Sequence, residues 1–98
     1  MAQDVGLKEQ VIEEIRELAK QYQLEKVILF GSRARGTFYK TSDIDLAVSG
    51  GNKTMFALDV EEKTSTLLTY DIVDLDAAIQ ESLRAAIEKE GILLYEKV

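Results

Sequence analysis

Short apolar runs alternate with amphipathic segments along the chain, and this alternation most constrains its fold. The run Val27-Ile28-Leu29-Phe30 is bulky or β-branched and stops at Gly31, as a buried strand would. Runs of similar length predict further strands at residues 43–48, 70–75 and 92–95. Apolar side chains at intervals of three and four predict amphipathic helices at residues 7–22, 54–66 and 77–90. We therefore expect an α+β fold, a single small domain over residues 1–98 with helices packed on a mixed β-sheet.

The charge of the chain limits its partners. Twelve Lys and Arg against eighteen Asp and Glu give a net charge of −6, which opposes general attraction to nucleic acid or anionic lipid. Any phosphate binding must therefore be local. No apolar stretch approaches the ~20 residues that span a bilayer, and the N-terminus lacks a basic start followed by an apolar run. We expect a cytoplasmic protein.

The chain contains no Cys and no His, so it has no disulfide, no thiolate nucleophile and no imidazole base. The usual Cys/His zinc sites are excluded as well. An active site in this chain must be made from carboxylates, hydroxyls, cations and backbone amides. Hard metals such as Mg²⁺ prefer these oxygen ligands.

Asp43 and Asp45 lie two residues apart on a predicted strand, so their side chains point to one face with Cα atoms about 6.5 Å apart. Two carboxylates at that spacing can share metal ions between them. An isolated pair of this kind is more often the exposed end of a strand.

Gly31 and Ser32 follow directly after the first predicted strand, and ten residues separate Ser32 from Asp43. Residues 31–42 combine glycines with hydroxyl residues, which predicts a loop with a helical turn. A glycine lets backbone N–H groups approach a phosphate closely, and the serine hydroxyl adds a donor. The alternative is an ordinary turn between two elements, which would be preferred for this pair taken alone.

Other charged residues could join the Asp43 and Asp45 carboxylates or the turn at Gly31 and Ser32. Asp71 and Asp74 lie on the third predicted strand and face opposite sides, so only one can join the first two carboxylates; either alone is as easily a solvent-facing acid. Arg33 and Arg35 could neutralise the phosphates of a leaving pyrophosphate, and Lys40 is similarly placed with weaker support. The alternative is that these cations are solvated or pair with acidic residues.

The segment GSRARGTFYKTSDIDL, from Gly31 to Leu46, resembles the GS-x₁₀-DxD signature of the minimal nucleotidyltransferases of the DNA polymerase β superfamily. The later segments YDIVDL and EGILLYE are also similar. The resemblance implies a polymerase-β-like nucleotidyltransferase fold and ATP as substrate with Mg²⁺ or Mn²⁺. It makes Gly31 and Ser32 the triphosphate-binding pair and Asp43 and Asp45 the metal ligands. It makes Asp71 the third carboxylate, which helps hold metal and acts as general base.

The resemblance also implies a partner. Minimal nucleotidyltransferases of this type are commonly paired with a HEPN-family protein, which implies an antitoxin that transfers AMP to a tyrosine of its toxin. One alternative is an antitoxin that binds and occludes its partner with little or no catalysis. Another is transfer to a small molecule, although related enzymes of that kind generally add a domain or dimerise to form the acceptor pocket.

Overall fold

The computed structural model describes residues 4–98, so the first three residues of the predicted domain lie outside the described residues. All the predicted strands and helices are present, and the helical turn predicted after the first strand is a short helix. The helices are α1 Glu9–Gln21, α2 Gly31–Arg35, α3 Lys53–Lys63 and α4 Glu81–Glu90. The strands are β1 Lys26–Phe30, β2 Ile44–Ser49, β3 Tyr70–Asp74 and β4 Ile92–Glu96.

The four strands form one mixed sheet in the order β3-β2-β1-β4. β1 pairs antiparallel with β2 and β4, whereas β2 and β3 run parallel. The parallel pair is connected through α3, as a crossover between parallel strands requires. The predicted α+β fold with helices on a mixed sheet is therefore confirmed.

The buried core lies between one face of the sheet and the helices α1 and α3. Alternate residues of β2 point into it, and Ile44, Leu46 and Val48 are all fully buried. The amphipathic stripe of α1 and two residues of α3, Phe56 and Val60, pack in the same cluster. Because strand side chains alternate, Asp45 points to the opposite face. On that face α4 contacts β1.

α1 and α3 are also joined by a polar contact. The Tyr22 hydroxyl donates to Asp59 Oδ2, and Lys63 Nζ lies 3.1 Å from the same oxygen. Asp59 is only 6% exposed, and a buried charge is costly unless it is paired. The contacts with Tyr22 and Lys63 provide that pairing. These two hydrogen bonds hold the pKa of Asp59 below its usual value.

Several element boundaries differ from the predicted ones. α4 begins at Glu81 rather than at residue 77, because a turn in which Ala77 N–H donates to Asp74 O precedes it. β2 begins at Ile44, so Asp43 lies just outside the strand. Among residues 4–98, no helix is long and apolar enough to cross a membrane.

Candidate active site

The turn after β1 passes directly against the second strand. Gly31 adopts a left-handed backbone conformation with φ 74°, which favours glycine. Phe30, the residue before it, pairs with Asp45 across the antiparallel ladder. A Cβ atom at Gly31 would overlap Asp45 Oδ2 and lie 3.0 Å from Asp45 Cγ. Glycine is thus favoured here by its backbone conformation, and a side chain at this position would displace the Asp45 carboxylate.

Asp45 and Asp71 are brought together by the parallel pairing of β2 and β3. They are direct partners in the register, so both side chains lie on the same face, whereas Asp74 is the partner of Val48. Asp74 lies 3.5 Å from Lys53 Nζ and accepts a hydrogen bond from the Asp76 N–H. The strand register therefore places Asp71, and not Asp74, beside Asp45.

Asp45 carries the electrostatic signature of a crowded acidic site. Burial raises its pKa above the usual value, and the negative charges of Asp71 and then Asp43 raise it further. Arg35 and Arg33 act in the opposite direction and lower it. Asp71 and Asp43 are therefore both close enough to repel the Asp45 carboxylate, although the three residues come from two strands and a loop.

Asp43 is exposed and turns toward the start of β3. Its Oδ1 accepts a hydrogen bond from the Thr69 hydroxyl, and the neighbouring Ile44 N–H donates to Thr69 O at 2.9 Å. Thr69 was not singled out in the sequence, where no local pattern distinguishes it from the other hydroxyl residues of the loop before β3.

The donor set fits a hard divalent cation. Carboxylate oxygens are the ligands that Mg²⁺ and Mn²⁺ prefer, and a cation would relieve the repulsion that raises the pKa of Asp45. In the part of the chain that the structure describes, no three acidic side chains already stand in a ligating arrangement. Asp43, Asp45 and Asp71 thus have the right chemistry and are near one another, but their side chains do not converge on one point.

Arg33 does not occupy the position expected of a phosphate ligand. Its side chain is 1% exposed. The guanidinium makes five hydrogen bonds to four backbone carbonyls, at distances of 2.9–3.3 Å, from Val5, Gly6, Lys40 and Ser42. All its donors point into the protein, so this contact set does not support the predicted phosphate contact. Long-range carbonyl contacts of this kind leave no mark in the sequence.

Arg35 has the accessibility that Arg33 lacks. It is half-exposed at the end of α2, its guanidinium lies 3.6 Å from Glu90 Oε2, and its charge lowers the pKa of Asp45. A cation that is exposed and close to the carboxylates can reach a phosphate bound between them. Lys40 is exposed, and its carbonyl is held by Arg33.

The Gly31 turn lies against Asp45, with Asp71 on the adjacent strand, which is the arrangement that the GS-x₁₀-DxD resemblance implied. The model of the family described as polymerase beta, nucleotidyltransferase matches residues 13–98. A protein of Methanocaldococcus jannaschii, whose name marks it as a candidate protein adenylyltransferase, is 36% identical over 82 residues, covering 74% of this chain and 79% of that protein. The chain belongs to the polymerase beta nucleotidyltransferase family, as the GS-x₁₀-DxD resemblance predicted.

Solved structures agree with this assignment. A chain of a toxin–antitoxin crystal structure with AMP-PNP has a TM-score of 0.71 at 26% identity, over 88% of this chain and 73% of that chain. A chain from a variant of the toxin–antitoxin MntA–HpeT has a TM-score of 0.68 at 27% identity, over 93% of this chain and 74% of that one. The polymerase-β-like nucleotidyltransferase fold is therefore confirmed.

Proposed function

We propose that this chain is an antitoxin that transfers AMP from ATP to a hydroxyl group of its toxin partner. The single observation that carries the proposal is the Gly31 turn lying against Asp45, with Asp71 paired to Asp45 on the next strand. The family membership supports nucleotidyl transfer. The similarity to a candidate protein adenylyltransferase and to toxin–antitoxin structures, one of them with AMP-PNP, supports a protein acceptor and ATP.

Binding of the triphosphate is assigned to the turn after β1. The backbone N–H groups of Gly31 and Ser32 and the Ser32 hydroxyl donate to phosphate oxygens, since the glycine permits close approach. Arg35 neutralises charge on the β and γ phosphates as they leave. Arg33 is left out of this set because its donors are already used by backbone carbonyls.

The carboxylates position and activate the reacting groups. Asp43, Asp45 and Asp71 would hold Mg²⁺ or Mn²⁺, which supplies charge neutralisation at the α-phosphate and at the leaving oxygens. The acceptor oxygen bonds to the α-phosphorus, the bond from that phosphorus to the bridging oxygen breaks, and pyrophosphate leaves. Asp71 accepts the proton of the acceptor hydroxyl. Most of the rate enhancement comes from positioning and charge stabilisation.

The acceptor we propose is a tyrosine of a HEPN-family toxin. This finer assignment rests on the resemblance to minimal nucleotidyltransferases together with the toxin–antitoxin relatives. The acidic surface, with a net charge of −6, disfavours a nucleic-acid acceptor and is compatible with a protein.

Labelled ATP and the co-expressed partner test this proposal. We expect label on the partner with the wild-type protein and Mg²⁺, and a loss of about 10²-fold or more with Asp71→Asn, because each missing charge-stabilising group in such a site costs that much. Asp74→Asn is the matched control, since it changes an acid of the same strand that is paired with Lys53. Equal labelling by the Asp71→Asn and Asp74→Asn proteins would refute the assignment.

A further inference from the structure

The segment before α1 reaches the candidate active site through Arg33. The carbonyls of Val5 and Gly6 accept hydrogen bonds from Arg33 Nη1 at 2.9 and 3.2 Å. Val5 is itself buried in the core, so the segment is held by apolar packing as well as by these bonds. Val5 and Gly6 lie outside residues 13–98, the part of the chain that the family model matches, whereas Arg33 lies inside it.

Gly6 fits this contact only because it has no side chain. Its φ is +71°, and a Cβ atom there would overlap the Phe38 ring and lie 2.8 Å from Arg33 Nη1. Phe38 packs over the Arg33 guanidinium with 4.9 Å to the ring centroid, a cation–π contact. Gly6, Arg33 and Phe38 therefore form a close-packed stack that a single methyl group would force apart.

The other side of Arg33 holds the loop that leads to Asp43. Its Nη2 donates to Ser42 O at 2.9 Å and to Lys40 O at 3.3 Å. The loop is closed by the Ser42 N–H donating to Tyr39 O and by the Tyr39 N–H donating to Ser42 Oγ, at 3.0 and 2.8 Å. Ser42 directly precedes Asp43, so the path of this loop sets where the Asp43 carboxylate enters the site.

We propose that Gly6 and Arg33 are positioning residues of the transfer reaction: residues 4–6, acting through Arg33, hold the loop of residues 37–42 and thereby place Asp43. The inference rests on the proposed function for its catalytic consequence. Its structural part stands on contacts among the described residues alone. The segment before the family match is then a working part of the active site.

Gly6→Ala and Gly36→Ala form a matched pair of variants. Both glycines have positive φ, +71° and +82°, so alanine introduces similar backbone strain at each. Apart from its own chain neighbours, a Cβ at Gly36 would meet no atom of residues 4–98 within 4 Å, whereas one at Gly6 strikes Phe38 and Arg33. Any difference in activity between the two variants therefore reports the disruption of the Gly6, Arg33 and Phe38 stack and not the backbone strain.

We expect Gly6→Ala to lower kcat for AMP transfer by roughly 10- to 100-fold relative to Gly36→Ala, because small misplacements of catalytic groups carry penalties of that order. The nucleotide KM should change less, since the Gly31–Ser32 turn is not displaced. Arg33→Lys keeps the positive charge but cannot bridge four carbonyls, so it should lose activity as well. Wild-type kcat in Gly6→Ala or in Arg33→Lys would overturn the proposal.

Amide hydrogen exchange in the nucleotide-free protein supplies a readout independent of catalysis. The hydrogen-bonded N–H groups of Tyr39 and Ser42 should exchange several-fold faster in Gly6→Ala than in Gly36→Ala. Equal exchange in the two variants overturns the positioning role. If the wild-type protein transfers no AMP at all, the proposed function fails, while the exchange measurement still decides whether residues 4–6 hold the loop.

Discussion

Replacing Gly31 with alanine separates the cost of the turn from its contact with the Asp45 carboxylate. The left-handed conformation at φ 74° costs a residue with a side chain about 1–2 kcal/mol. The added Cβ would also overlap Asp45 Oδ2 and lie 3.0 Å from Cγ. Asp45 can relieve that overlap by rotating its carboxylate, so the stability loss should stay near the backbone cost. The activity should not survive, because the displaced carboxylate is the one beside Asp71.

Gly36→Ala is the control for this experiment, because it has the same backbone cost and open space at the Cβ within the described residues. Urea unfolding should give both variants a loss of about 1–2 kcal/mol. Single-turnover transfer of labelled AMP should fall by about 10²-fold or more only in Gly31→Ala. Similar activity in the two variants would refute the claim that the turn and Asp45 must adjoin.

Three further substitutions test separate parts of the structure. Arg33→Met leaves four carbonyls without their donor, one in a buried hydrogen bond and three in partly buried ones. Since an unmet buried acceptor costs about 1–3 kcal/mol and a partly buried one less, urea unfolding should show a loss of about 2 kcal/mol or more; a loss below ~1 kcal/mol would contradict the contact set. Arg35→Ala should raise the nucleotide KM about tenfold, as expected for one charge-assisted phosphate contact, with little change in Tm because the side chain is half-exposed. The hydrogen bonds from Tyr22 and Lys63 lower the pKa of Asp59, so their stabilisation is present above the unfolded-state pKa and is lost as the pH falls through the folded-state pKa. Asp59→Asn should therefore lower Tm relative to the wild-type protein at pH 7, and this difference in Tm should become smaller below about pH 4. A difference in Tm that does not change with pH would contradict this.

The strands and helices were predictable because their information is local. The α1 stripe repeats every three to four residues, and each strand is a short apolar run that ends at a glycine, an acid or a hydroxyl residue. Boundaries were less accurate where a turn competes with a helix, as before Glu81. Which acid of β3 lies beside Asp45 depends on the strand register. The alternation of side chains left Asp71 and Asp74 both possible, whereas the family resemblance predicted Asp71.

The role of Arg33 shows where the sequence is silent. Its position in the phosphate loop favoured a phosphate contact, yet its partners include two carbonyls 27 and 28 residues away. Every residue has a backbone carbonyl, so no pattern of residue types in the sequence reveals such a contact. Gly6 was missed for the same reason, because the side chains that exclude a Cβ there, Phe38 and Arg33, are distant in the sequence.

The mass of the partner protein tests the central claim most directly. The chain should be co-expressed with the proposed toxin partner, and that toxin purified and measured by intact mass spectrometry. We expect toxin carrying one or more AMP groups with the wild-type chain, and unmodified, active toxin with Asp45→Asn, whose fold is checked by circular dichroism. Unmodified toxin that is nevertheless neutralised by both proteins would contradict AMP transfer and favour inhibition by occlusion.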